Sequence, residues 1–263
     1  MSEPTILLAV GHGGRDSGAT GNGLKEKNLT LPTALFCEEY LKTRHTGFTV
    51  ELTRRRDKFV SLNQQVSMAM SIEADLVVDI HYNSFYLSRA HGMETFIAKN
   101  QRTNSNKRAQ RKLHDSLASC FLSKYNIYDR GMKQSRHYLI RNLGNDDIDA
   151  VLVEGLFISN PREADLIRNE AVQKEVGYAI GRGIARHFNL PEKQEHSWGH
   201  LEMPEVVRPI GVELEGEKTY EIGFLARDPV TDSWQTYIRS GFAKGKHIKD
   251  VTGHGDHIKI ATK

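Results

Sequence analysis

The sequence has little cysteine and no long hydrophobic run. Cys37 and Cys120 are its only cysteines, lie far apart and form no CxxC motif, which excludes a disulfide framework and a cysteine-based zinc knuckle. No segment approaches the roughly 18–20 apolar residues that a membrane-spanning helix needs. We therefore expect two buried free thiols, in a protein that is not inserted into a membrane.

A strong net charge and a secretory leader are also missing. The formal net charge is +3 over 263 residues, which is too small to indicate nucleic-acid binding. The first residues, MSEPTILLAVGHGG, carry an acidic side chain where a signal peptide carries basic ones, and the apolar run is short. We expect synthesis in the cytoplasm without a signal peptide, so that work outside the cell needs another exit.

The first 190 residues alternate between strand-like and helix-like patterns. Strands are predicted over 5–10, 48–54, 75–84, 92–98 and 150–159, and helices over 28–44, with Pro32 in its first turn, 62–74 and 107–126. Residues 161–188 are predicted to form one or two helices. This alternation predicts an α/β fold, with a twisted, mostly parallel sheet flanked by helices on both faces. In such sheets, functional groups collect beyond the carboxyl ends of the strands.

The pattern changes after residue 190. Residues 191–209 contain three prolines and little periodicity, and we predict a linker there. Residues 210–263 show strand-like patterns and predict a small β-rich C-terminal domain. Because so short a segment has a marginal core of its own, we expect it to dock or to dimerise.

Four polar side chains stand out against the predicted strands and the first helix. His12 follows the first strand in GHGG, Glu26 starts the first helix, His81 lies near the end of DLVVDIHYNS, and Glu154 lies within AVLVEGLFIS. Two imidazoles and one carboxylate are a ligand set of catalytic Zn²⁺. The glycines around His12 would allow a sharp turn and the close approach of a metal or substrate. An ionised Glu154 in an apolar strand is costly unless a cation lies nearby.

Other interpretations of these residues stay open at this point. A single histidine near a strand end is more often structural than a ligand, and the spacing of 12, 26 and 81 is not diagnostic as HExxH is. A glycine-rich turn after a strand could bind phosphate, although GHGGRDSG matches neither GxGxxG nor GxxxxGKS/T. The residues alone therefore leave both a zinc site and a structural role possible.

Several stretches of the chain together resemble one known family. ILLAVGHGGRDSGATGNGLKEKNLTL, ADLVVDIHYNS, GMETFIA, DRGMKQSRHYLIR and AVLVEGLFISNPREADLI are similar, in order and spacing, to zinc-dependent N-acetylmuramoyl-L-alanine amidases of the Amidase_3 (LytC/AmiC-like) family. The resemblance covers roughly residues 5–188 and implies that 1–190 would be a zinc amidase catalytic domain. It departs from the family at Ala9-Val10, where Asp-Pro is common, and at Gln65 and Met70, where Arg and Asn are frequent.

The resemblance implies a reaction and roles for named residues. His12, Glu26 and His81 would bind one catalytic Zn²⁺, and Glu154 would be the catalytic residue that transfers a proton. The reaction would be hydrolysis of the amide between the lactyl group of N-acetylmuramic acid and L-alanine of the stem peptide. Two further residues in matching blocks are candidate substrate contacts, namely Asn83 and Arg141.

Without a signal peptide and with an appended small module, such an amidase resembles a phage or prophage endolysin. It would act on bacterial peptidoglycan once a holin opens the membrane, or after release by lysis, as a sporulation lysin does. We expect 210–263 to bind the wall or to form a homodimer. The alternatives are a zinc peptidase that cuts within the stem peptide and a catalytically inactive wall-binding protein.

The remaining polar motifs are predicted to be structural or exposed. His45, His91, His114 and His187 have surface-like settings, and HGDH at 254–257 is predicted to be an exposed loop. TRRRD at 53–57 could contact a carboxylate or phosphate of the wall, but we predict a solvated loop.

Overall fold

The computed structural model describes residues 3–99, 103–144 and 148–193, and the backbone of five strands between 209 and 262. The chain divides into two units, Met1–Lys193 and Gln194–Lys263. No helix among the described residues is long and apolar enough to cross a membrane. Most of the predicted linker at 191–209 lies outside the described residues.

A six-stranded sheet forms the centre of the first unit. Its strands are β1 Thr5–Val10, β4 Thr49–Leu52, β5 Leu76–Asn83, β6 Met93–Ala98, β7 Asp129–Ser135 and β8 Asp149–Phe157. Two further strands, β2 Thr20–Gly21 and β3 Leu24–Lys25, form a separate short hairpin. The central sheet has the order β4-β1-β5-β8-β6-β7. All neighbours in it are parallel except β6 and β8, which confirms the predicted mostly parallel sheet.

Six helices cover the two faces of this sheet. They are α1 Lys27–Arg44, α2 Leu62–Ser71, α3 Asn104–Tyr125, α4 Tyr138–Leu143, α5 Pro161–Arg168 and α6 Glu170–Phe188. Successive side chains of a strand point to opposite faces. Ile6 and Leu8 of β1 therefore join a core with α1, α3, α5 and α6, whereas Leu7 and Ala9 join a core with α2 and α4.

Besides the short β2–β3 hairpin, one strand and one helix of the first unit are absent from the sequence-based prediction. β7 reads DRGMKQS and lies at the edge of the sheet, so it carries no apolar run, and α4 is only six residues long. Of the one or two helices predicted over 161–188, the structure has two, divided at Asn169, whose side chain accepts a hydrogen bond from the main-chain N–H of Ala171. Pro32 lies inside α1 and not in its first turn, because α1 already starts at Lys27.

Glycines in α6 allow its main chain to approach α1 and α3 closely. A Cβ atom on Gly177 would lie 2.5 Å from the carbonyl oxygen of Thr33, and one on Gly183 would lie 2.7 Å from the Cα of Leu113. Both distances are too short for any side chain. The helix therefore gives up helical propensity at these positions in exchange for close packing.

Replacing Gly177 with alanine should lower the free energy of unfolding by about 1–3 kcal/mol, as overpacking does. The expected sign opposes helical propensity, which favours alanine over glycine by about 1 kcal/mol. Urea unfolding of the two metal-free proteins measures the difference. Ala171→Ser, at an exposed position of the same helix, should change stability by less than about 0.5 kcal/mol. A Gly177→Ala protein as stable as the wild type would contradict the packing argument.

The second unit contains two antiparallel sheets in its described strands. β9 Pro209–Glu215, β10 Thr219–Arg227 and β11 Trp234–Phe242 form a sheet of order β11-β10-β9, and β12 Ile248–His254 pairs with β13 His257–Thr262. These strands fall in the segment that the sequence predicts to be β-rich. The side chains of this unit, including those of HGDH, lie outside the described residues.

Candidate metal centre and active-site cleft

A cleft of about 880 Å³ opens at the carboxyl ends of β1, β5 and β8, and it is lined by His12, Glu26, His81 and Glu154. The topology brings them together. His12 follows β1 by two residues, Glu26 immediately precedes α1, and His81 and Glu154 are register partners on the neighbouring strands β5 and β8. The four residues selected from the sequence therefore share one site.

Glu26 lies between the two histidines. Its Oε2 is 3.0 Å from Nε2 of His12, and its Oε1 is 2.8 Å from Nδ1 of His81. The main-chain N–H groups of Ala19 and Tyr82 donate to the same carboxylate. One potential ligand atom from each of His12, Glu26 and His81 can be chosen so that all three lie within 4.8 Å of one another. Two imidazoles and a carboxylate this close are a donor set that suits zinc.

Each histidine also has a second carboxylate partner. Asp16 Oδ2 lies 2.9 Å from Nδ1 of His12, and Asp79 Oδ1 lies 3.1 Å from Nε2 of His81. Carboxylates in this position orient metal-binding imidazoles. The sequence analysis missed both residues, although Asp79 lies two positions before His81 on one strand and so shares its face.

The charges of the cluster shift the pKa values of its members. Burial lowers the pKa of His12, but the hydrogen bond and charge of Glu26 outweigh it and raise that pKa. Burial also lowers the pKa of His81, but the charges and hydrogen bonds of Asp79 and Glu26 outweigh this effect. The pKa of His81 therefore lies well above its usual value. Burial raises the pKa of Glu26, but the two imidazoles hold it far below the ordinary range. The carboxylates of the cluster thus favour a positive charge between them, as a metal centre requires.

The glycines around His12 make room for protein atoms. A Cβ on Gly11 would lie 2.6 Å from Cε1 of His81, and one on Gly18 would lie 2.4 Å from Cδ2 of His12. A Cβ on Gly13 would lie 2.3 Å from the carbonyl oxygen of Lys58. The close contacts at these three glycines are thus with the two imidazoles and a neighbouring loop. His12 itself has a φ of 60°, a left-handed conformation that supports the sharp turn expected there.

Glu154 presents an unpaired carboxyl oxygen to the site. Its Oε2 is buried and has no hydrogen-bond partner among the described residues. Burial raises the pKa of Glu154 to about 8, with Glu26, Asp79 and Glu94 acting in the same direction and His81 opposing. A carboxyl group with such a pKa can gain and lose a proton near neutral pH.

The two candidate substrate contacts lie in different settings. Asn83 lines the cleft, and its Nδ2 donates to Oε1 of Glu94 over 2.6 Å. Arg141 is exposed on α4 with its guanidinium 5.6 Å from the centre of the Tyr138 ring, and it is not among the residues that line the cleft. His137 and Tyr138, at the start of α4, line the cleft instead.

Several predictions of surface exposure are wrong. His45 and His114 are 6% and 5% exposed, and the side chain of His187 is 5% exposed. His114 lies between Oγ1 of Thr95 and Oδ1 of Asp129, which allows the ring to be buried. His91 is exposed, as predicted.

The TRRRD segment is not a solvated loop throughout. Thr53 and Arg54 are buried, at 6% and 4% exposure. Thr53 Oγ1 accepts a hydrogen bond from the main-chain N–H of Val10 over 2.9 Å. The segment therefore lies against the end of β1, next to the turn that carries His12.

Comparison with known proteins relates the first unit to one family. The sequence profile of Amidase_3, described as N-acetylmuramoyl-L-alanine amidase, matches residues 6–186. The chain is 35% identical over 189 residues to the endolysin of Bacillus phage SPP1, a match that covers 72% of this chain and 67% of the endolysin. It is 32% identical over 184 residues to the N-acetylmuramoyl-L-alanine amidase LytC of Bacillus subtilis, which covers 70% of this chain and 35% of LytC.

A solved structure gives the same relationship for the fold. The catalytic domain of CwlV, an N-acetylmuramoyl-L-alanine amidase from Bacillus (Paenibacillus) polymyxa var. colistinus, superposes with a TM-score of 0.65 at 30% identity. The superposition covers 72% of this chain and 99% of that domain. The similarity thus takes in a complete catalytic domain.

Proposed function

The chain belongs to the Amidase_3 family of N-acetylmuramoyl-L-alanine amidases, and we propose that its first unit is the catalytic domain, which hydrolyses the amide between the lactyl group of N-acetylmuramic acid and L-alanine in bacterial peptidoglycan. One observation carries this proposal. His12, Glu26 and His81 offer ligand atoms within 4.8 Å of one another, and the unpaired carboxyl oxygen of Glu154 lies in the same cleft.

We propose that His12, Glu26 and His81 hold a catalytic zinc ion. When bound, zinc supplies a Lewis acid that activates water and polarises the carbonyl of the scissile amide. Asp16 and Asp79 keep the two imidazole rings in place through their other nitrogen atoms. The main-chain N–H groups that donate to Glu26 hold the carboxylate between the rings.

Glu154 is the proposed proton-transfer residue. Its carboxylate accepts a proton from the attacking water as the water oxygen bonds to the lactyl carbonyl carbon. The same proton then passes to the alanine nitrogen as the carbon–nitrogen bond breaks. The products are the free amine and the lactyl carboxylic acid, which keeps the second proton of the water until it ionises. A carboxyl group that is buried and otherwise unpaired is suited to both steps, because no competing partner holds it in one protonation state.

Digestion of purified peptidoglycan, with and without a chelator and followed by mass spectrometry, tests the bond and the metal together. We expect intact stem peptides that begin with a free L-alanine amine, released only when metal is present. Fragments cut within the stem peptide would identify a zinc peptidase instead. Wall binding without fragments from a zinc-loaded protein would identify a catalytically inactive binder.

We further propose that the chain works as a lytic enzyme of the endolysin type, which reaches the wall after a holin opens the membrane or after lysis. The likeness to a phage endolysin supports this, and release from a sporulating mother cell is the alternative. Expression in a bacterial host with and without a co-expressed holin tests it. Rapid lysis only with the holin is the expected result, and lysis at the same rate without it would contradict the proposal.

For the second unit, Gln194–Lys263, we propose wall binding or homodimer formation. The two antiparallel sheets in so short a segment support this, because a segment of this length has a marginal core of its own. Co-sedimentation with cell walls measures wall binding, and analytical ultracentrifugation measures the oligomeric state. At least one of the two should differ between the full chain and a chain that ends at Lys193. If both proteins bind walls equally and have the same number of subunits, the proposal is contradicted.

A further inference from the structure

The guanidinium of Arg54 lies behind the turn that carries His12. Its Nη2 donates to the carbonyl oxygen of Gly11 over 3.0 Å, next to His12 in the chain. Its Nε lies 3.4 Å from the carbonyl oxygen of Val10, the last residue of β1. A Cβ on Gly13 would lie 2.8 Å from the same Nε. The guanidinium therefore packs against Gly13, where a larger residue would leave it no room.

The same guanidinium also holds the start of α1. Nη2 donates to the carbonyl oxygen of Lys27 over 3.1 Å and to Oγ1 of Thr30 over 3.0 Å. Thr30 Oγ1 in turn donates to the carbonyl oxygen of Gly11 over 2.8 Å. Lys27 directly follows Glu26, so one side chain connects the main chain beside His12 with the main chain beside Glu26.

Arg54 makes these contacts without a carboxylate partner. It is only 4% exposed, and among the described residues no carboxylate oxygen lies within 4.0 Å of its guanidinium. Burying an unpaired cation is costly. Burial also lowers the pKa of Arg54. The guanidinium reaches these carbonyl oxygens with several donors held in a fixed planar arrangement, which the ammonium group of lysine lacks.

We infer that Arg54 is a positioning residue for the metal centre, which fixes the GHGG turn against the start of α1 and so sets the separation of His12 and Glu26. That separation is 3.0 Å between Nε2 and Oε2. The inference rests on the proposed function, because the metal is part of that proposal. A purely structural role for Arg54 would affect the stability of the fold without changing the affinity for metal.

Zinc affinity of Arg54→Lys, Thr30→Val and Thr33→Val, measured by competition with a chromophoric chelator, separates these roles. Arg54→Lys keeps the charge and should bind zinc about 10-fold or more weakly than the wild type, as loss of an outer-shell partner does. Thr30→Val removes one acceptor of the guanidinium and should weaken binding in the same direction by less. Urea unfolding of the metal-free proteins reports stability separately.

Thr33→Val is the matched control. Thr33 and Thr30 are both completely buried in α1, but Oγ1 of Thr33 contacts the hydroxyl of Tyr82 and not the turn. The control should lose stability and keep wild-type zinc affinity.

Wild-type zinc affinity in a destabilised Arg54→Lys protein would overturn the inference. If Arg54→Lys does not fold, equal zinc affinity of Thr30→Val and Thr33→Val would overturn it. A wild-type protein that takes up no zinc would overturn the proposed metal site and this inference with it, and that result is seen before any variant is made.

Discussion

Replacing Glu154 with glutamine should lower kcat by about 10²–10⁴-fold, the usual contribution of a general acid–base residue. Glutamine has the same shape but cannot take a proton from water and return it to the leaving nitrogen. Zinc should remain bound, because Glu154 is not one of the three residues whose ligand atoms cluster. KM should change little, since the loss concerns a proton in the transition state and not the binding of the glycan or peptide.

Stability distinguishes this catalytic role from a structural one. Oε2 of Glu154 has no partner among the described residues, so the metal-free Glu154→Gln protein should unfold at a urea concentration no lower than the wild type. Glu39→Gln, at a carboxylate of α1 that contacts Lys174 and Tyr178, serves as the control and should keep wild-type turnover. Near-full activity of Glu154→Gln, measured as release of stem peptides, would contradict the assignment.

Hydrophobic patterning was sufficient to predict the central part of the fold. β1 is a short apolar run because its side chains meet a core on both faces of the sheet, and the apolar stretches of β5 and β8 have the same cause. β7 escaped prediction because an edge strand is half exposed and reads as polar. α4 escaped because six residues are too few to establish a helical period.

The sequence predicts which four residues share the site, but not the residues that surround and support them. His12, His81 and Glu154 could be selected because polar residues at or near the ends of apolar strands are informative in any α/β sheet, and Glu26 because it starts the first helix. Arg54 could not, because in the sequence it is one of three consecutive arginines. Only the folded chain distinguishes it from its neighbours, by placing carbonyl oxygens from the end of β1, the following turn and α1 around its guanidinium.

The buried histidines show the same limit of prediction from sequence, because they were predicted to be exposed. His114 lies in a helix among charged residues, which is typical of an exposed position. It is buried because Thr95 and Asp129, from two strands, satisfy both ring nitrogens. Partners supplied by distant segments cannot be inferred from composition or periodicity, since these describe one element at a time.

Replacing His12 with alanine should abolish zinc binding under conditions where the wild type is fully loaded. Loss of a ligand should weaken the affinity by more than the roughly 10–100-fold that loss of an outer-shell partner costs. Hydrolysis of peptidoglycan should fall to the level of the chelator-treated wild type, because Glu154 alone does not activate water sufficiently. Metal analysis after dialysis and an activity assay on the same samples measure both effects.

His137→Ala is the matched control for this prediction. His137 lines the same cleft, is exposed, and has its Nδ1 2.6 Å from Oγ of Ser135, but it does not belong to the cluster of ligand atoms. His137→Ala should therefore retain zinc, whereas His12→Ala should lose it although only one imidazole is removed in each case. Zinc retained by His12→Ala, or lost equally from both variants, would contradict the ligand assignment. Zinc lost only from His12→Ala would show that the cleft binds metal through this histidine, because each variant removes one imidazole from the same cleft.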